Sequence, residues 1–139
     1  MRGSASQHHG SEEDGLTSFK VLYLEELGVV ETVWSGQVTA ADVDRGVTET
    51  GILAAENLCT RFLVDLREQT PGGSTLDIFS LAEFLCSLPP GTIEREAVLT
   101  PRTPAAADEI KFFETACRNR GLDVRMLDDR SAALEWLTS

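Results

Sequence analysis

A chain of 139 residues with 42% hydrophobic and 25% charged residues is long enough for one domain that buries an ordinary core without disulfides or metals. The net charge of −11 argues against binding to nucleic acid or to an anionic membrane, because both require a basic surface. No apolar run approaches the roughly 18 residues of a membrane-spanning helix, so we expect no membrane insertion.

The first 17 residues, MRGSASQHHGSEEDGLT, are polar, rich in Gly and Ser, and without periodicity. This composition predicts a flexible tail over 1–17 and a folded domain over 18–139. His8 and His9 lie within the tail, and two neighbouring imidazoles on a mobile segment make a poor metal site. We therefore expect no metal and no other cofactor.

Three cysteines, Cys59, Cys86 and Cys117, lie far apart among apolar residues and show no metal-ligand spacing. In such surroundings cysteine behaves as a small hydrophobic residue. An odd number of cysteines without a signal peptide fits a reducing compartment, so we expect a cytoplasmic location.

The predicted domain opens with two strands at 18–24 and 29–35, joined by the Gly-containing link EELG, which indicates an antiparallel hairpin. Thr39 followed by Asp42 is typical of a helix cap, and a stripe of apolar residues predicts a helix over 40–58.

From residue 61 onward the pattern alternates between strands and helices. The predicted strands lie at 61–66, 95–100 and 122–127, and the predicted helices at 74–88, 104–120 and 131–137. Such alternation implies parallel strands joined by right-handed crossovers. The fold class is therefore α/β, with a mixed sheet of about five strands and a leading antiparallel hairpin.

Turn and cap residues support these boundaries. Thr103 and Pro104 read as a cap followed by a proline at the first helical position, and Gly121 fits the position just past a helix end. Asp128 or Asp129 could cap the final helix.

Polar residues at the end of the strand at 61–66 form the first candidate site. Asp65 lies in an apolar strand, with Arg67 and Glu68 following it, and a buried carboxylate requires donors or an open end. Asp65 accepts hydrogen bonds from the loop at 69–73, or it anchors a ligand, and the sequence leaves both interpretations open. Alternation places it on the opposite face from three apolar residues, Phe62, Val64 and Leu66.

The helix at 74–88 forms the second candidate site, because its apolar arc is about twice the ~100° that packing on a sheet requires. A neighbouring helix, a second protomer, a partner protein or an apolar ligand could cover the excess. The polar stripe of this helix consists of Ser80, Glu83 and Ser87.

The segments VWSGQVT, FLVDLRE, EAVLTP, RGLDVRML and ALEWL, in this order and spacing, make residues 18–138 resemble the SpoIIAA-like group of the STAS superfamily. That group includes bacterial anti-sigma-factor antagonists and many small proteins of unassigned role. The resemblance implies a single-domain βα superhelix with helices packed on the sheet. It also implies a bacterial, non-enzymatic protein that acts through protein–protein association.

In the regulatory members of that group, a partner kinase phosphorylates a Ser or Thr at the start of the helix after the LVDL-type strand, and the phosphate breaks the partner complex. Ser74 and Thr75 fall at or near this place. The usual motif has an acidic residue directly before the hydroxyl and a Gly soon after it. Here Gly72-Gly73 precede and Leu76-Asp77 follow, and Ser74 with Asp77 also reads as an ordinary helix cap.

These observations leave two functions open. The first is a non-enzymatic interaction domain whose partner is another protein or a second copy in a homodimer. The second is binding of a small apolar or amphipathic ligand, lipid-like in character, in a pocket at the strand carboxyl ends and the helix at 74–88.

An enzyme is not expected, because the two histidines lie in the tail and TPGGST lacks the lysine of a Walker-type loop. The candidate surface comprises Asp65, Arg67, Glu68, Asp77, Phe79, Leu81, Phe84 and Leu88.

Overall fold

A computed structural model of the chain describes residues 7–9, 17–70 and 78–139. Within these ranges the chain forms a six-stranded sheet and four helices. The strands are β1 Gln7–His9, β2 Thr17–Leu24, β3 Val29–Gly36, β4 Arg61–Gln69, β5 Arg95–Leu99 and β6 Val124–Leu127. The helices are α1 Ala40–Asn57, α2 Ile78–Cys86, α3 Pro104–Asn119 and α4 Arg130–Leu137. None of the described helices is long and apolar enough to cross a membrane.

The strands lie in chain order across the sheet. Strands β1, β2 and β3 pair antiparallel, and β3, β4, β5 and β6 pair parallel. The predicted hairpin is confirmed: Leu27 and Gly28 donate their N–H groups to Leu24, and Gly28 has a φ of +68° that favours glycine. The parallel pairs follow the crossover helices, as expected for an α/β fold.

Strand β1 is an addition to the expected sheet of about five strands. Gln7–His9 pair with β2, although the sequence predicts a flexible tail over 1–17. The outer edge of β2 presents unpaired backbone N–H and C=O groups, and even a polar tripeptide can satisfy them. Residues 1–6 and 10–16 lie outside the described ranges, so the tail stays a prediction there.

The two faces of the sheet are covered by different helices, because alternate residues of each strand point to opposite sides. Helices α1, α2 and α3 contribute to the larger core with Leu53, Ala82 and Phe113. Helix α4 covers the other face, where Ala133 and Leu137 pack on Leu63, Ala97 and Leu99.

The predicted helix starts are confirmed where a side chain makes the capping bond. Thr39 and Asp42 form a capping box, with a bond in each direction, and Asp129 accepts from the N–H of Ala132. Thr103 is the N-cap of α3, but its hydroxyl makes no capping bond and is buried without a hydrogen-bond partner among the described residues. Helix α2 ends at Cys86, two residues before the predicted end, and the part of the prediction at 74–77 lies outside the described residues.

Helix α1 lies against Trp34 of β3 at Gly46. A Cβ atom on Gly46 would lie 2.3 Å from Cη2 and 2.5 Å from Cζ2 of the indole, which is closer than any real contact. Gly51, in the same helix, has open space at this position, with nothing within 4 Å.

We expect Gly46→Ala to lower the free energy of unfolding by about 1–2 kcal/mol, because the overlap with Trp34 outweighs the better helix propensity of alanine. Gly51→Ala is the matched control and should raise it by about 0.5–1 kcal/mol. Urea denaturation followed by circular dichroism measures both. Equal stabilisation by the two substitutions would show that the indole moves aside without cost.

Candidate functional site: an apolar cavity with a buried carboxyl group

The described chain contains an open cavity of about 470 Å³ between the sheet and the helices α1, α2 and α3. Its origin is the spacing of the helices. Helix α1 packs on β2 and β3, whereas α2 packs against α3 and α3 against β6. The strip of β4 and β5 between these helices is therefore left as the floor of the cavity.

The walls of the cavity are predominantly apolar. Helix α1 contributes small and branched residues, including Val43, Gly46, Val47, Gly51, Ala54 and Ala55. The sheet contributes Trp34, Phe62, Val64, Leu66, Glu96 and Val98. The opposite wall, from α2 to α3, consists of Leu81, Leu85, Leu88, Ile93, Ile110 and Phe113.

The cavity opens to solvent beside the second half of α1, where its lining residues Gly51, Ala55, Leu58 and Thr92 are exposed. Leu58 is the C-cap of α1, is 91% exposed, and has a φ of +52°. A branched residue in the left-handed region is strained, and glycine is the usual choice at such a helix end. An exposed, strained leucine at the rim extends the apolar surface of the cavity to its mouth.

Glu96 is the charged residue among the described residues of the cavity floor. Alternation along β5 places Glu96 and Val98 on the cavity side, and Glu96 lies beside Phe62 of β4 in the parallel register. Its side chain is buried, with 7% exposure, and makes no ion pair or hydrogen bond with any described residue. Burial raises the pKa of Glu96 from 4.5 to about 7.

The environment of Glu96 differs from that of the other buried carboxylates. Glu31 accepts two hydrogen bonds from Arg130, at 2.7 and 3.2 Å. Asp42 accepts from the Thr39 N–H and from Arg45. Since a buried charge is costly unless it is paired, the charged form of Glu96 is disfavoured, and no cation lies among the described residues that line the cavity.

Two thiols lie near the cavity and are held as neutral groups. Cys59, a lining residue, donates to the carbonyl oxygens of Gly28 and Arg61, and burial raises its pKa. The pKa of Cys117 is raised to about 12, first by burial and then by the Glu96 carboxylate. Neither group has the lowered pKa of a reactive thiolate.

The polar candidate residues at the end of β4 lie on the face opposite the cavity; they are Asp65, Arg67 and Glu68. Asp65 is buried and accepts hydrogen bonds from the Arg67 backbone N–H and guanidinium, at 3.0 to 3.1 Å. Burial raises the pKa of Asp65, but the hydrogen bonds from Arg67 outweigh it and lower the pKa overall. Glu68 is exposed and pairs with Arg102 at 2.8 Å. Among the described residues Arg67 is therefore a donor to Asp65, while residues 71–73 of the predicted donor loop lie outside the described ranges, and this polar cluster is separate from the cavity.

Some candidate residues in and just after α2 line the cavity, and others lie on the surface. Leu81 and Leu88 line the cavity, while Phe84 is 48% exposed. Part of the wide apolar arc is thus covered by α3 and part faces the cavity. Ser74, Thr75 and Asp77 lie outside the described residues, as does the side chain of Phe79.

Sequence reasoning missed Glu96 and the wall formed by α1. A signal for Glu96 was present, because the predicted strand at 95–100 carries a glutamate two residues before Val98, on the same face of an otherwise apolar strand. No comparable signal exists for the α1 wall, whose residues read as an ordinary amphipathic stripe.

Comparison with known proteins identifies the fold. No protein-family model and no curated protein matches the chain. The chain is similar to the crystal structure of an uncharacterized protein of the DUF3478 family with a SpoIIAA-like fold from Shewanella loihica, at 15% identity. The match covers 99% of this chain and 98% of that chain with a TM-score of 0.52. The SpoIIAA-like α/β fold expected from the resemblance is confirmed.

Proposed function

We propose that this domain binds a small apolar or amphipathic molecule in the cavity between α1 and α2, as a carrier or sensor and not as an enzyme. The observation that carries the proposal is the cavity itself, of about 470 Å³ with predominantly apolar walls. Protein interiors are normally packed without voids larger than a water molecule, and apolar walls that stay in contact with water through an open mouth lose the free energy of burial. A bound ligand offsets that cost.

The size and shape of the cavity restrict the ligand. Ligand pockets typically span about 300–1,000 Å³ and combine apolar walls with a few polar groups, and this cavity has both features. Along β4 the distance from Phe62 to Leu66 is four residues, or about 13 Å. A chain of about ten carbons would gain at most about 8 kcal/mol from burial before the costs of association, which corresponds to micromolar affinity or weaker.

Binding without catalysis fits the ionisable groups of the described walls, Glu96 and Cys59. Burial raises the pKa of each, and for Cys59 this effect outweighs the nearby Arg61, so Cys59 is a neutral thiol at pH 7 and not a reactive thiolate. A raised pKa would suit a proton donor, but the described lining contains no histidine, lysine, tyrosine or second carboxyl group that would act with Glu96 as an acid-base pair.

The proposal is tested by uptake of the neutral fluorescent probe N-phenyl-1-naphthylamine, whose emission rises in apolar surroundings. We expect saturable uptake by the native protein, and Ala55→Trp at the cavity mouth should weaken it by about tenfold or more, because the indole occupies the entrance. Ala41→Trp is the matched control, since Ala41 is exposed on the same helix and does not line the cavity.

Uptake that is absent from the native protein, or equal in the two tryptophan variants, would contradict binding in the cavity. Analytical ultracentrifugation of the same samples would then address a second candidate function, association with another protein or with a second copy. Two observations favour that candidate: the SpoIIAA-like fold, and the exposure of Phe84 on α2 and Phe112 on α3, which are 48% and 55% exposed. Ser74 and Thr75 would be the hydroxyls to examine for phosphorylation.

A further inference from the structure

We infer that the ligand of the cavity is an apolar amine, whose cationic nitrogen pairs with the carboxylate of Glu96 while its hydrocarbon part lies along β4. This inference rests on the proposed function and names the chemical class of the ligand. Its starting point is that Glu96 lies in the cavity floor, buried and without an ion pair or hydrogen bond from a described residue.

A ligand cation is the partner that Glu96 lacks. Two of the other buried carboxylates of the described chain pair with a cation, Glu31 with Arg130 and Asp65 with Arg67, whereas Oε1 of Glu49 on α1 is buried without a hydrogen-bond partner among the described residues and does not line the cavity. No lysine or arginine is among the described lining residues of the cavity. Because a carboxylate in an apolar site is strongly disfavoured until a cation reaches it, an ammonium group gains more at this site than any neutral group does.

Other ligand chemistries fit less well. A carboxylic acid brings a second negative charge next to Glu96, in a protein whose net charge is already −11. An alcohol can hydrogen-bond to Glu96 but leaves its charge uncompensated. The net charge of the protein also attracts a cationic ligand toward the cavity and repels an anionic one.

Glu96 is the group in the cavity whose charge changes near neutral pH, because the groups around it keep their charge state there. From α3, Cys117 faces it with a pKa of about 12, and Cys86 of α2 contacts that thiol. Arg120 acts on Cys117 and lies 3.8 Å from Glu83. The cavity walls from α1 and from β4 contribute no charged side chain among the described residues. Protonation of Glu96 as the pH falls below 7 should therefore weaken amine binding relative to alcohol binding.

The experiment compares three ligands of equal chain length, 1-aminodecane, 1-decanol and decanoate, by displacement of N-phenyl-1-naphthylamine at pH 8. We expect the amine to bind at least about tenfold more tightly than the alcohol, and the alcohol more tightly than decanoate. In Glu96→Gln the preference for the amine should disappear, while the affinity for the alcohol changes by less than about threefold.

Two further variants separate the local charge from general effects. Glu94→Gln removes the same charge from an exposed position two residues away and should keep the amine preference. Glu96→Leu serves where the glutamine variant misfolds, and it should also lose the preference. Circular dichroism verifies that each variant is folded.

The possible failures are distinct. Equal affinity of the native protein for amine and alcohol, or an amine preference that survives in both Glu96 variants, would overturn the inference and leave the cavity proposal intact. Lack of binding of the probe and of all three ligands would overturn the proposed function together with the inference.

Discussion

Glu96→Gln is expected to raise the free energy of unfolding by about 3 kcal/mol at pH 8 and to leave it nearly unchanged at pH 4. Burial raises the pKa of Glu96 in the native protein to about 7, from 4.5 for the exposed group. As the pH rises above 4.5, the unfolded chain releases this proton first, so that the native state loses stability. The loss continues until the pH passes about 7 and is constant above it. Glutamine has nearly the same shape and no charge, so the variant does not lose this stability.

Urea denaturation of the native protein and of the variant at a series of pH values between 4 and 8 measures the difference. Taking the difference is necessary because Asp65, whose lowered pKa makes it stabilising above about pH 4, contributes in the opposite direction. Glu109→Gln, on the exposed surface of α3, is the control and should give a small difference at every pH. A difference between native protein and Glu96→Gln that does not depend on pH would show that Glu96 is solvated in the native state.

The fold could be predicted from the sequence where the determining interactions are local. The capping box of Thr39 and Asp42 is closed within one helical turn, and the hairpin turn ends at a glycine that the left-handed backbone requires. Parallel pairing of the later strands followed from their alternation with helices. The pairing of Gln7–His9 could not be predicted in this way, because the tripeptide is short and polar and carries no alternating apolar pattern, although β2 is the next strand in the chain.

The site was predictable only in part, because a cavity is a property of the spaces between elements. The wide apolar arc of the helix at 74–88 indicated that the sheet alone could not cover it. In the structure α3 packs against part of this arc, and another part lines the cavity. Helices α1 and α2 are separated because each packs on a different part of the fold. No single segment of the sequence determines this separation. The alternation of β4 correctly predicts Asp65 on the face opposite Phe62, and the structure adds that Arg67, two residues later, donates hydrogen bonds to it.

The face of the sheet opposite the cavity is held by a pair of residues separated by 99 positions in the chain. Arg130, at the first position of α4, donates two hydrogen bonds to Glu31 of β3, whose side chain is only 5% exposed. A cation at a helix amino end meets the positive pole of the helix, so Arg130 is unfavourable there on local grounds. Its position is explained by the buried carboxylate that it neutralises, and the hydrogen bonds that Arg130 donates to Glu31 raise the pKa of Arg130.

Arg130→Met is expected to lower the free energy of unfolding at pH 7 by about 3 kcal/mol, because it leaves the Glu31 carboxylate buried without a cation. The double variant Glu31→Met, Arg130→Met removes both charges and should recover most of the loss, since methionine can fill the space of either side chain. Arg102→Met is the matched control: its pair with Glu68 is exposed on both sides, so its removal should cost less than about 1 kcal/mol. Thermal and urea denaturation of the four proteins measure these effects. If the double variant were as unstable as Arg130→Met, the packing of the arginine side chain, and not its charge, would be what holds α4 to the sheet.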